Sequence, residues 1–409
     1  MRTEIKKNLF IIGNGFDLAH NIPSKYSDFQ KYIRSLYMTE ELIDYSYSAF
    51  FPWKYTVPRT SNLLGHFDWE QPYTATNVLG FIDYCLARSQ NSNQHYNFYI
   101  NSDWKAIEEL LGNLDLCEFL KMDQEDLFPQ YDYDCEGLIY DIAECFKYLP
   151  KLASMWANQI DVSKAIPISD FDKLINKNRI LPINNDVFLT FNYTPTLELL
   201  YGVNEVIHVH GIAGKRVMLG HDSSIDLDGF CKRNSIPLNC KHAAKVLLAE
   251  TEKNTEKNIS LLKPFISQKL TGITDIYSYG FSFSNVDLPY ITLICKQLNT
   301  NDITWHLLDF DSQDFRDEYI KVIRKCGFLG HFTTYHIETN SKKTQECNQI
   351  KQFIKAKKAY EGKGHFYLEQ LIIRYQTVNY TPSKLDMLLY IPRVIRCCFF
   401  LIIDKISRH

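Results

Sequence analysis

The apolar positions of this chain fall into short unbroken runs. Residues 8–12, 186–191, 206–209, 275–279 and 304–308 are each of strand length and rich in β-branched or aromatic side chains. They lead into Gly13, Asn192, His210-Gly211, Gly280 and Asp309, and residues 332–337 make a sixth run. A strand with one wet face alternates apolar and polar residues. Strands that are apolar throughout are covered on both faces, as in a parallel sheet packed between helices. Helical stretches separate several of the runs, at 194–201, 285–298 and 312–326. This alternation predicts an α/β fold built on a doubly wound, mostly parallel Rossmann-type sheet.

Residues 25–180 break the alternation. Their pattern predicts helices at 25–36, 76–87, 104–111 and 138–159, hence a large helical insertion between the first and second core strands. Residues 241–270 read as a second helical insert, and 342–362 as a charged helix opening a C-terminal helical extension. The expected organisation is a nucleotide-binding core from 1–24 plus 181–340, a helical insertion at 25–180 and an extension at 341–409.

Composition narrows the function classes. The 409 residues are 45% hydrophobic and 23% charged, as in ordinary globular proteins. Aromatics make up 14%, which reads first as core packing. A formal net charge of -3 supplies no strong field for nucleic acid or an anionic membrane. The apolar run at 9–12 is too short for a signal peptide core. The apolar tail at 388–403 is interrupted by Pro392, Arg393 and Arg396, so it reads as a docked helix and no membrane association is expected. The 11 cysteines include no CxxC pair, which predicts reduced thiols, a cytoplasmic setting and no zinc ribbon.

Four segments carry candidate chemistry. Ile12-Gly13-Asn14-Gly15-Phe16-Asp17 runs from a buried strand into a Gly-x-Gly turn, where backbone can approach a ligand and a following helix can face a phosphate. Position 18 is Leu where the dinucleotide fingerprint has its third glycine, so the turn alone is equally an ordinary strand–helix junction. Asn192 ends the second strand, either as a helix cap or as a group that orients water or a sugar hydroxyl. His208 and His210 flank Val209, and strand alternation predicts that they share a face. His210, beside Gly211, is the better-placed general base. Gly280-Phe281-Ser282-Phe283-Ser284 leads to Asp287, offering hydroxyls for ribose or phosphate and a carboxylate for a ribose diol. No recognisable ligand spacing points to a metal.

These segments resemble a known family. The opening from Ile11 to Phe29 is similar to the start of AbiH-type abortive-infection proteins, and it is the specific part of the likeness. Trp104 with Glu108, Phe191-Asn192-Tyr193-Thr194, Val209-His210-Gly211 and the segment from Gly280 to Asp287 follow in the same order. That family in turn resembles sirtuin-type NAD-binding domains. The resemblance implies that Gly13, Asn14, Gly15, Ile22 and Pro23 hold the NAD pyrophosphate, with Gly280 and Ser282 in a second binding loop. Phe16, Asp17 and Asp287 complete the expected cofactor-binding set, Asp17 facing a ribose hydroxyl because its charge would repel a phosphate. It assigns Asn192 and His210 to catalysis. Without a zinc ribbon it implies hydrolysis of NAD to nicotinamide and ADP-ribose, not lysine deacetylation. The implied protein is a cytoplasmic anti-phage effector, a homo-oligomer or joined by a companion defence protein, responding to a phage or host trigger, its insertion covering the cleft or sensing that trigger. The competing expectations are a non-catalytic NAD or ADP-ribose sensor and a nucleic-acid-targeting effector. Against the latter stand the mild acidity and the lack of an acidic cluster beyond Asp309 and Asp311.

Overall fold

In the computed structural model, which describes residues 7–37, 72–90, 104, 106–121, 135–176, 186–222 and 224–338, each of the six apolar runs holds or overlaps a strand. These are β1 (Lys7–Ile12), β2 (Val187–Thr190), β3 (Val206–His208), β4 (Ile273–Tyr279), β5 (Thr304–Leu308) and β6 (His331–Tyr335). All neighbours pair in parallel, in the order β3-β2-β1-β4-β5-β6. The chain therefore winds outward from β1 in both directions. Such a sheet binds ligands outside the carboxyl ends of its strands, where the winding reverses.

Helices cover both faces, which is why β1 has no polar face. Leu9 and Ile11 pack with Ile266 of α12 (Thr255–Lys269), Ile294 of α13 (Leu288–Gln297) and Ile323 of α14 (Gln313–Lys325). Phe10 and Ile12 point the other way. They join Phe16 of α1 (Asn14–Ala19), Phe171 of α8 (Ser169–Asn176) and Leu197 of α9 (Thr196–Tyr201). Phe10 stacks on Phe188 with ring centroids 4.9 Å apart.

A second layer is wholly helical. Phe29 of α2 (Tyr26–Tyr37), Phe81 of α3 (Pro72–Gln90) and Ile107 of α4 (Ile107–Gly112) share one core. So do Leu120 of α5 (Cys117–Lys121), Ile142 of α6 (Cys135–Phe146) and Trp156 of α7 (Leu149–Gln159). Phe230 of α10 (Leu227–Arg233) and Leu247 of α11 (Lys241–Thr251) belong to the same core, whereas α12 packs against the sheet. The helix expected at 138–159 is two helices, and the insert expected at 241–270 holds two. The 138–159 stretch divides before Leu149, where Pro150 lies in the first turn of α7 and has no N–H to continue α6. The 241–270 stretch divides at 252–254, where Asn254 takes a left-handed conformation with φ 53°. The expected core strands and their helices fall inside the described residues, whereas the extension expected at 341–409 lies outside them. Among the described residues, no helix is long and apolar enough to cross a membrane.

Candidate functional site

The carboxyl ends of β1 and β4 meet backbone to backbone. The Gly13 N–H donates to the Tyr279 carbonyl at 3.0 Å, and the Gly15 N–H to the Gly280 carbonyl at 2.9 Å. A Cβ on Gly280 would lie 2.4 Å from Gly15 Cα, and one on Gly13 would lie 2.5 Å from Gly280 O. The glycines thus let two loops touch, a role the Gly-x-Gly pattern does not distinguish from close approach to a ligand. The Phe16 N–H donates to Gly13 O at 3.0 Å, so three amides of this turn are engaged within the protein.

Behind the turn lies Asp17, fully buried. The Thr194 hydroxyl donates to its Oδ2 at 2.5 Å and the Thr196 hydroxyl to its Oδ1 at 2.8 Å. Burial pushes the Asp17 carboxyl up to about 6, against the pull of Thr194, Thr196 and Asn192 beside it and of the His208 charge. Asp17 therefore ties the β1 loop to the β2 loop from inside.

Asn192 and His210 stand on the wall of a cavity of about 1020 Å³ over this rim. Asn192 is 6% exposed, and its side-chain amide lies beside the buried Asp17 carboxyl. Of the His210 ring nitrogens, Nε2 lies 2.8 Å from Asp287 Oδ1, whereas Nδ1 is buried with no protein partner. Buried polar atoms without partners are costly, so a site that keeps them is arranged for a ligand or water. Burial, and then the neighbouring Lys253 charge, lower the His210 pKa; Asp287 opposes them only in part.

Asp287 heads a buried charge network. Ser284 Oγ donates to its Oδ2 at 3.1 Å, and Lys253 Nζ lies 3.5 Å from its Oδ1. The same Nζ is 2.5 Å from Glu108 Oε1, which also accepts from the Tyr26 hydroxyl at 3.2 Å. Burial alone would raise the Asp287 carboxyl, but Lys253 and His210 outweigh it and hold it well below the usual carboxylate range. Burial would likewise lower the Lys253 ammonium, but Glu108 and Asp287 outweigh it and hold it above its ordinary value. Backbone fixes Lys253 in place: its N–H donates to His221 O at 2.9 Å, and the His221 N–H donates to Thr251 O at 2.9 Å.

Of the residues expected from the sequence, Gly13, Asn14, Gly15, Asp17, Asn192, His210, Gly280, Ser282 and Asp287 line this one cavity. Phe16, Ile22 and Pro23 are not part of its lining. Phe16 packs edge-on to Phe171 and Tyr279 in the sheet core, Ile22 is buried, and Pro23 is exposed. Asp287 is directed at His210 and Ser284, where a ribose diol was expected. The shared face expected for His208 and His210 is not found. β3 ends at His208, so strand alternation does not extend to position 210. His208 turns instead to Glu198 of α9, 2.8 Å away.

Sequence reasoning gave Lys253 no role and Glu108 only a place in the family pattern. Both line the cavity. A lysine in a helix-rich, charged stretch reads as surface, and only the fold brings it to a carboxylate 145 positions away. Among the described residues, no group of three or more His, Cys, Asp or Glu side chains is arranged to hold a metal ion.

Residues 9–309 match the family described as Bacteriophage abortive infection AbiH. No curated protein and no solved structure matches the chain. With its opening Gly-x-Gly motif, its β2 and β3 loops and its cavity all inside the matched span, the chain belongs to the AbiH family of bacteriophage abortive-infection proteins.

Proposed function

We propose that this protein is a phage-defence effector whose cavity binds NAD and hydrolyses its nicotinamide–ribose bond. The observation that carries this reading is that Asn192 and His210 line one cavity, where His210 Nδ1 is buried without a protein partner. The cavity volume, about 1020 Å³, suits a ligand of nucleotide size. The choice of NAD is supported by the likeness of Gly13-Asn14-Gly15, Asn192 and His210-Gly211 to the NAD-binding positions of sirtuin-type domains.

In this reading Asn192 orients a water or the nicotinamide ribose, using one donor and one acceptor. The water oxygen adds to ribose C1′ as the C1′–nitrogen bond breaks. The bond electrons leave with neutral nicotinamide, and the water proton passes to His210. The Asp287 and Glu108 carboxylates place negative charge near a positively charged, oxocarbenium-like transition state. Release of such an activity in a cell needs restraint, which assembly, a companion protein or a phage or host trigger would provide.

Purified full-length protein mixed with NAD is expected to release nicotinamide. Asn192→Ala and His210→Ala should each lower the rate by about 100-fold or more, the scale of a lost proton-transfer or orienting group, while keeping the wild-type melting profile. Undiminished release by the double variant would sink the assignment. NAD-dependent thermal stabilisation with no nicotinamide formed would identify a sensor instead.

A further inference from the structure

We propose that Lys253 and Glu108 are positioning residues that act through Asp287 to keep the His210 proton on Nε2 and leave Nδ1 as a bare acceptor. The helical layer then completes the reactive centre instead of only covering it. This rests on the reading of His210 as the proton acceptor.

An ionised carboxylate only accepts hydrogen bonds, so His210 Nε2, 2.8 Å from Asp287 Oδ1, must carry a proton. A neutral ring has one N–H, which leaves Nδ1 without one. The arrangement lasts only while Asp287 stays ionised and the ring stays neutral. Lys253 serves both conditions. Its ammonium, 3.5 Å from Asp287 Oδ1, favours the carboxylate, and its charge disfavours a second positive charge on the imidazole. Glu108 sets how much of that charge His210 feels, because its Oε1 lies 2.5 Å from Lys253 Nζ.

The two residues come from different parts of the chain. Glu108 lies on α4, and Lys253 in the break between α11 and α12. The other groups facing the pair are Tyr26 of α2 on Glu108, Ser284 on Asp287, Tyr193 within the field of both Lys253 and Glu108, and the rings of Phe191 and Tyr290 against His210. Lys253 is the one cation in that set. Its side chain is 1% exposed, so solvent does not screen it.

The test is the ring state of His210, read by long-range proton–nitrogen NMR of the full chain labelled at histidine, with His210 assigned by its disappearance in His210→Gln. Wild-type protein at neutral pH should show Nε2 protonated and Nδ1 bare. Lys253→Met should move the His210 titration midpoint up by about one pH unit, and Lys253→Arg should restore it. Glu108→Gln should move the midpoint the opposite way, because Lys253 is then no longer shared. Any nicotinamide release should have its acidic limb shifted with the same signs. A wild-type ring protonated on Nδ1, or one midpoint common to wild type, Glu108→Gln and Lys253→Met, would overturn the proposal. If Lys253→Met does not fold, the wild-type ring state and the downward shift in Glu108→Gln decide it. If the shifts appear and no nicotinamide forms, the positioning role stands and the NAD reading falls.

Discussion

Asp17 and Asp287 are both buried carboxyls on the same rim, and their surroundings push them in opposite directions. Asp287 has a cation beside it and stays ionised. Asp17 has hydroxyls and an amide beside it, and its pKa rises from 3.8 to about 6. The consequences for stability have opposite signs. The depressed group adds stability that is present above the ordinary carboxylate range and is lost as the pH falls below it. The raised group is protonated in the folded chain when it is already ionised in the unfolded one. Stability therefore falls as pH rises from about 4 to about 6, by on the order of 3 kcal/mol for a shift of this size. Asp17→Asn keeps the shape and removes the titration. The variant should gain on wild type as the pH is raised from 4.5 to 7, in urea unfolding at the two values. Asp287 is common to both proteins and cancels from the comparison. Parallel stability profiles would show that Asp17 is not raised.

At the scale of elements, the contact between the β1 and β4 loops defines the site's floor. Gly280 has φ 62°, and an added Cβ would meet Gly15 and Phe16 backbone at 2.4 to 2.5 Å. Gly202, the C-cap of α9, has a nearly identical φ of 63° with nothing within 4 Å. Gly202→Ala should therefore cost only the left-handed conformation, about 1–2 kcal/mol. Gly280→Ala adds a clash with rigid backbone and should cost about 3 kcal/mol or more. Thermal or urea unfolding of the pair separates the two contributions, and equal losses would mean that the loops do not hold each other.

The same contact shows what the sequence could and could not disclose. The strands were legible because runs such as Leu9 to Ile12 are short, apolar at every position and bounded by turn residues, the pattern of a sheet covered on both faces. The rim was legible because turn and polar residues follow each run. The partner of each rim residue was not. Gly13 and Gly15 look the same whether a phosphate or Gly280 lies against them. Lys253 gains its meaning from Glu108 and Asp287, far off in sequence. His210 left the alternation of β3 because the strand stops two residues earlier, and strand ends are set by pairing with β2, which sequence periodicity does not encode.

At the scale of the whole molecule, the helical layer and the sheet have separate hydrophobic cores, and charged side chains of the first meet the second at the cavity. Leu247 of α11 and Ile323 of α14 are both fully buried, one in each core. Truncating either to alanine leaves a cavity and should cost about 2–5 kcal/mol. Their effects on the site should differ. α11 ends at Thr251, two residues before Lys253, and the Thr251 hydroxyl is anchored on the Leu247 carbonyl at 3.1 Å. Loosening Leu247 thus loosens the segment that holds the buried ammonium between Glu108 and Asp287. Ile323 lies in the core of the sheet layer, away in sequence from the Lys253 segment. In hydrogen exchange, Leu247→Ala should lose protection at the Lys253 and His221 amides well before the β1 and β4 amides. Ile323→Ala, at matched loss of global stability, should leave the Lys253 amide as protected as the rest of its layer. Equal protection patterns in the two variants would mean that the layers open as one unit, and that the site's charge network is held by the sheet alone.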